Sequence, residues 1–235
     1  MASEIGVVAT TALKTSIDAL TPEFEAATGF KLNCSYGPSK RIFKQVAEGE
    51  ANDVTIVTAD LIEDLVKQGR IVANSGTDLA RSAMALAVQK GAPKPDISTA
   101  EKFKEAMLNA KSLGMSNPVG GGTSGGVLAS AFERLGIAEQ MKPKLVFGPG
   151  GPAGLIGNFL VRKEVEIGIQ QLPELMAVPG IDIVGPLPPG IQSVSTFCAG
   201  VSTGARDAEA GRAFIKFLAS PAAAAVLRAK GMETP

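Results

Sequence analysis

The residues that could do chemistry in this chain gather at short junctions rich in glycine and hydroxyls. They are Thr10-Thr11, Gly37-Pro38-Ser39-Lys40-Arg41, Gly120-Gly121-Gly122-Thr123-Ser124-Gly125 and Gly148-Pro149-Gly150-Gly151-Pro152-Ala153. A fifth, Gln170-Gln171, brings amides without charge. Hydroxyls and exposed backbone N–H groups suit the capture of an anion. The chain has no histidine, which excludes Ser-His and Cys-His nucleophile systems and His-ligated metal sites. The triple glycine ahead of Thr123 lets a ligand approach the backbone closely. It lacks the Gly-Lys-Ser/Thr of a P-loop and the spacing of a dinucleotide fingerprint, so no nucleotide or other cofactor is expected. Each junction alone reads as an ordinary helix cap; several together argue for a shared anion site.

Lys40 and Arg41 would sit at a helix start, where a cation opposes the helix dipole and needs a local reason. Arg81, at the head of an extended stretch, could fork a carboxylate with two parallel hydrogen bonds. The expected binding set is Thr10, Thr11, Ser39, Lys40, Arg81, Thr123, Ser124, Ala153 through its amide, and Gln171. No acidic cluster with metal-ligand spacing accompanies them, and Asp53, Asp60, Glu63 and Asp64 read as structure and solvation.

The elements that must position these groups alternate. Strand-like runs at Ile5–Ala9, Phe30–Tyr36 and Val54–Val57 are separated by amphipathic segments reaching about Thr28 and Glu48, with a helix over Ala59–Gln68 following. A second set comprises helices at 99–109, 123–135 and 153–162 and strands at 112–115, 145–147 and 166–170. Such alternation marks βαβ units and mainly parallel sheets, here in two lobes. Thr21-Pro22, Ser220-Pro221 and a Ser98/Glu101 capping box serve as helix-start signals, and Gly29, Gly69 and Gly136 as stops. The predicted lobes are residues 1–80 with 204–235, and 81–203, joined by crossing strands at about 79–89 and 193–203. In open α/β sheets ligands bind beyond the carboxyl ends of strands, which puts the expected site in the cleft between the lobes.

The 235 residues, 45% of them hydrophobic, can bury full cores. Lys plus Arg and Asp plus Glu both number 23, so no net field recommends nucleic acid or an acidic membrane. Apolar runs stop well short of the roughly 18 residues of a membrane span. Met1 to Glu4 show no leader pattern, which leaves a cytosolic protein or one whose export signal has been removed. Cys34 and Cys198 have no redox or metal spacing; they read as buried thiols, with a disulfide as the alternative.

In this order the motifs resemble the type II periplasmic solute-binding proteins, and among them the molybdate-binding-protein-like group, over nearly the whole chain. The resemblance rests on Ile5–Leu13, Ser35–Arg41, the Ala-Asn-Asp-Val-Thr-Ile-Val-Thr-Ala-Asp run at 51–60, Ser116-Asn117-Pro118 ahead of Thr123, and Glu166–Gln171 leading to Pro179-Gly180. It implies a periplasmic, monomeric protein that captures a small anion for an ABC transporter permease. Ser39 matches the group's second-strand serine. Ala12 stands where those proteins usually offer a serine and Gln171 where they often place a tyrosine, so two hydroxyl donors are lost. Arg81, Lys40 and Gln171 would suit a larger anion with separate carboxylates. The subgroup also resembles the aconitate isomerases, which implies a second reading: interconversion of trans- and cis-aconitate by an allylic proton shift. Without histidine, its base would be Lys14, Lys40, Tyr36 or a carboxylate. The plainer reading of Tyr36 is a packing aromatic at a strand end.

Overall fold

The computed structural model describes residues 4–235. The chain opens with β1 (Glu4–Thr10), α1 (Lys14–Thr28), β2 (Lys31–Gly37), α2 (Ser39–Ala47), β3 (Val54–Thr58) and α3 (Ala59–Lys67). After β4 (Thr77–Gln89) come α4 (Ala100–Asn109), β5 (Leu113–Ser116), α5 (Thr123–Arg134), α6 (Ala138–Met141), β6 (Leu145–Gly148) and α7 (Ile156–Val161). The remainder is β7 (Ile167–Gln171), α8 (Leu172–Met176), β8 (Ile181–Pro186), β9 (Val194–Val201), α9 (Ala208–Leu218) and α10 (Pro221–Ala229). Two compact units result, one of residues up to Arg81 with Ser195–Pro235, the other of Ser82–Val194. The chain passes from the first to the second inside β4 and returns at the start of β9.

In the first unit the strands run in the order β2-β1-β3-β9, the first three parallel and β9 antiparallel to β3. Ile5, Val7, Ala9 and Ile56 face α1, α9 and α10, where Phe24 meets Phe214 edge-on at 5.0 Å. Val57 and Cys198 pack against Ile42 and Val46 of α2 and Leu61, Ile62 and Leu65 of α3. All of β3 is buried, as expected of a strand covered on both faces. The second unit orders its strands β4-β7-β5-β6, with β8 also paired to β4. Its parallel strands β5, β6 and β7 are packed by Leu128, Phe132 and Phe103 among others on one face and by Leu160 and Val165 on the other. No single described helix is long and apolar enough to cross a membrane.

Several local expectations need correction. Pro22 does not start a helix but lies inside α1, because the continuous buried face of Ile17, Leu20 and Phe24 outweighs a locally broken hydrogen bond. Thr21 turns its hydroxyl back on the Ile17 carbonyl at 2.8 Å. The cap of α4 is Thr99, which accepts from Lys102 N at 3.2 Å; Ser98 is held instead by Asp96. The helix expected over 153–162 breaks into a 3-10 turn at Pro152–Gly154 and the six residues of α7. Gly29, Gly69 and Gly136 do end helices, each with φ between 68° and 77°. Cys34 on β2 and Cys198 on β9 are free thiols three strands apart, about 14 Å at the usual strand spacing, so no disulfide forms.

Candidate functional site

The parallel strands of the first unit end level with one another. In the ladder Thr10 stands opposite Gly37, and Ala9 opposite Ile56, so Thr10-Thr11 run beside Val57-Thr58. A helical segment begins directly after each of these strands: a 3-10 turn at Thr11, α2 at Ser39 and α3 at Ala59. The first N–H groups of a helix have no intrahelical acceptor and carry partial positive charge. Beside them lie three hydroxyls, those of Thr11, Ser39 and Thr58, all at least nine-tenths buried and without a hydrogen-bond partner in the protein. Thr58 does not cap its own helix. An unpaired buried hydroxyl costs about 1–3 kcal/mol, so three on adjacent strand ends are a standing cost that an acceptor would relieve. Thr58 was not among the residues expected from sequence; its signal is the pattern shared with Thr10 and Ser39, a hydroxyl between an apolar strand and a helix start. Ser16, one helical turn beyond Ala12, is a fourth buried hydroxyl without a partner.

A prediction follows from the unpaired state of Ser39. Ser39→Ala should leave the ligand-free protein as stable as the parent or more so by about 0.5–1 kcal/mol, while lowering ligand affinity roughly 10-fold. Urea unfolding beside calorimetric titration checks both halves. A variant that loses stability and keeps affinity would make Ser39 a packing residue.

The cations divide. Lys40 is exposed. Arg81 is held by the C-terminal tail: its backbone bridges Glu233, N–H to carbonyl at 2.7 Å and 2.8 Å, and its guanidinium lies 3.8 Å from the Glu233 carboxylate. Lys14 forms an ion pair with Asp18 and stands 4.9 Å over the Tyr36 ring, and the Tyr36 hydroxyl donates to Asp18 at 2.8 Å. Burial raises the Tyr36 phenol far above its ordinary pKa, helped by its neighbours Cys34 and Asp18. Lys14 and Tyr36 are thus brought together, but around Asp18 on the α1 side of β2.

The second unit has its own set of strand ends. Ser116 pairs with Gly148, and Met115 with Ile169, so Ser116 is level with Gln170. Thr123 is half-buried at the first position of α5, and Ser124, buried behind it, donates to the Ser116 hydroxyl at 3.2 Å. The 116–118 turn lies so close to this helix start that a Cβ on Gly125 would fall 2.1 Å from the Ser116 carbonyl oxygen. Asn117 closes the turn, accepting from Val119 N at 2.9 Å and Gly120 N at 3.2 Å. Ala153 is exposed in the 3-10 turn. Buried Gln170 fixes that turn to the sheet, accepting from Ile156 N at 2.9 Å and donating to the Gly154 carbonyl at 3.4 Å. Gln171 is buried at the end of β7 and stands at the N-cap position of α8 without a side-chain capping bond; Glu174 accepts from the Gln171 backbone. Desolvation pushes the Glu174 carboxyl up to about 8.

Among the described residues no group of three or more His, Cys, Asp or Glu could hold a metal ion. Cavities of about 380 Å³ by Glu166 and Ile167, and about 390 Å³ by Glu4, Gly6 and Asp53, lie at the opposite, amino ends of the parallel strands.

Two α/β units with hydroxyl and amide donors at the strand ends define a binding protein for small solutes. The chain belongs to the bacterial extracellular solute-binding protein family, whose model matches residues 5–233. It is 34% identical over 223 residues to an aconitate isomerase of Pseudomonas sp, covering 93% of this chain and 83% of that protein. To the molybdate-binding protein ModA of Azotobacter vinelandii it is 26% identical over 237 residues, covering 98% and 90%. Among solved structures, the periplasmic molybdate-binding protein of A. vinelandii superposes with a TM-score of 0.81 at 18% identity, over 99% of both chains. The sulfate-binding protein SubI of Mycobacterium tuberculosis H37Rv gives 0.78 at 20% identity, over 99% of this chain and 87% of that one. The fold is that of the type II periplasmic binding proteins.

Proposed function

We propose that this protein captures a small anion, a polycarboxylate or an oxyanion, in the periplasm, as a monomer that hands its ligand to an ABC transporter permease. One observation carries the reading: three buried hydroxyls without partners, Thr11, Ser39 and Thr58, on neighbouring strand ends beside free helix N–H groups. Thr10, Lys40 and Arg81 belong with them, and Thr123, Ser124, the Ala153 amide and Gln171 are the donors from the second unit. Arg81 would have to leave Glu233 to take part, a small demand because an exposed pair at 3.8 Å is weak.

The second reading is an aconitate isomerase, supported by 34% identity over 93% of the chain to a protein of that name. The reaction would take a proton from the methylene carbon of trans-aconitate and return one to the far end of the allylic system, giving cis-aconitate. Of the three candidate bases, Tyr36 is the least suited, since its phenol keeps its proton and donates it to Asp18. Lys14 is occupied by the same carboxylate. Lys40 is exposed and makes no ion pair with a described residue.

Incubation of the protein with trans-aconitate, with cis-aconitate followed by chromatography, separates the readings. Product above the no-protein control establishes the isomerase. No turnover, with a rise in melting temperature in molybdate or in a tricarboxylate, leaves a binder and gives its ligand class. No turnover and no shift with any of these anions would sink both.

A further inference from the structure

We infer that Arg41 is the carboxylate fork of the first unit's strand-end site, and that Gly37 is needed there because its missing side chain makes room for the guanidinium. The guanidinium turns its Nε–Nη2 edge toward Gly37: a Cβ built at that residue would stand 2.7 Å from Nη2, 3.3 Å from Nε and 3.4 Å from Cζ. Gly37 is opposite Thr10 in the ladder, and partners in register share a face of the sheet, so the guanidinium is brought beside the Thr10 side chain. Ser39, with its unpartnered buried hydroxyl, is two residues on.

No carboxylate of a described residue comes within ion-pair distance of Arg41. A cation in the first turn of α2 opposes the helix dipole; Arg41 stays exposed, with its guanidinium turned back to the strand end. The opposed dipole is a cost to the ligand-free protein, and an anion at the strand ends offsets it.

The inference rests on the anion reading and narrows it to a ligand class. Neutral hydroxyls and amides accept a tetrahedral oxyanion and a carboxylate alike. A planar guanidinium matches a planar carboxylate with two parallel bonds, so Arg41 biases the site toward carboxylates. Neighbouring Lys40, a flexible point charge, would give no such preference.

The test is calorimetric titration of the full chain with tricarballylate and with molybdate, on wild type, Arg41→Gln, Arg41→Lys and Gly37→Ala. Gly37 has no positive φ and its added methyl meets only the movable end of Arg41, so the alanine variant keeps the fold, which circular dichroism verifies. Tricarballylate affinity should fall roughly 10- to 100-fold in Arg41→Gln and Gly37→Ala, and less in Arg41→Lys, with molybdate affinity changed by less than about 3-fold. Unchanged tricarballylate affinity in both variants, an equal loss for the two anions, or a wild type that takes molybdate alone would each overturn the role of Arg41 while the anion reading stands. A wild type that binds neither anion removes both.

Discussion

Replacing Asp53 with alanine is expected to destabilise the protein by about 3–5 kcal/mol, about two hydrogen bonds to a charged group at roughly 1.5–3 kcal/mol each. Asp53 is 1% exposed. Its Oδ2 accepts from Gly6 N at 2.6 Å, and its Oδ1 from Arg206 N at 2.6 Å and Asp207 N at 3.5 Å. One carboxylate therefore ties the start of β1 and the segment ahead of α9 to the entry of β3. The Arg206 guanidinium, 3.6 Å away on a side chain that is 70% exposed, adds little through solvent. Backbone amides carry the interaction, and alanine would leave those of Gly6 and Arg206 without an acceptor. Asp53→Asn keeps one acceptor oxygen and should lose about half as much. The midpoint of urea unfolding measures the difference, and a loss below about 1 kcal/mol in the alanine variant would mean that water replaces the carboxylate.

The second large effect is a pH dependence centred on Glu174. Desolvation raises its carboxyl to about 8 in the folded protein, from an ordinary 4.5. Between these values the folded state holds a proton that the unfolded chain has released, so stability falls as pH rises through that window. Below pH 4.5 both states are protonated and there is no penalty; above 8 it is complete. At 1.36 kcal/mol per unit the full shift would approach 5 kcal/mol, and with partial solvent access about 3 kcal/mol is expected. Glu174→Gln removes the titration while an amide oxygen still accepts from the Gln171 backbone. It should unfold at the parent's temperature near pH 4.5 and well above it at pH 8.5. Parallel melting curves at both ends of the range would dismiss the desolvated carboxyl.

Much of this architecture was legible because β1, β3 and β7 are apolar runs between amphipathic helices, with glycines at the helix ends where only positive φ fits. The Thr10-Thr11 and Ser39 junctions were legible because hydroxyl residues stand where an apolar or alternating strand gives way to a helical segment. What escaped reading depends on contacts distant in sequence. β8 is a half-buried strand whose pairing with β4 is broken by a bulge between Leu86 and Ala87, and Ile181–Pro186 carries no strict alternation to announce it. Pro22 breaks a local rule that the packing of Phe24 overrides. Lys40 and Arg41 are adjacent cations on one helix turn, and only the position of Gly37 beneath the second distinguishes them. Thr58 was passed over because nothing in the sequence shows that its hydroxyl stays unpaired at the N-cap of α3.

The division of the chain also bears on how the protein is made. The second unit is a single uninterrupted segment, Ser82–Val194, whereas the first needs both ends of the chain. During synthesis the second unit can close as soon as residue 194 has emerged. Until then β3, buried along its whole length in the finished protein, waits with one edge unpaired, because its partner β9 is only then being translated. An open, apolar strand edge recruits other chains. The early product is therefore a second unit whose whole segment is present, preceded by an N-terminal part in which the β3 edge still lacks β9.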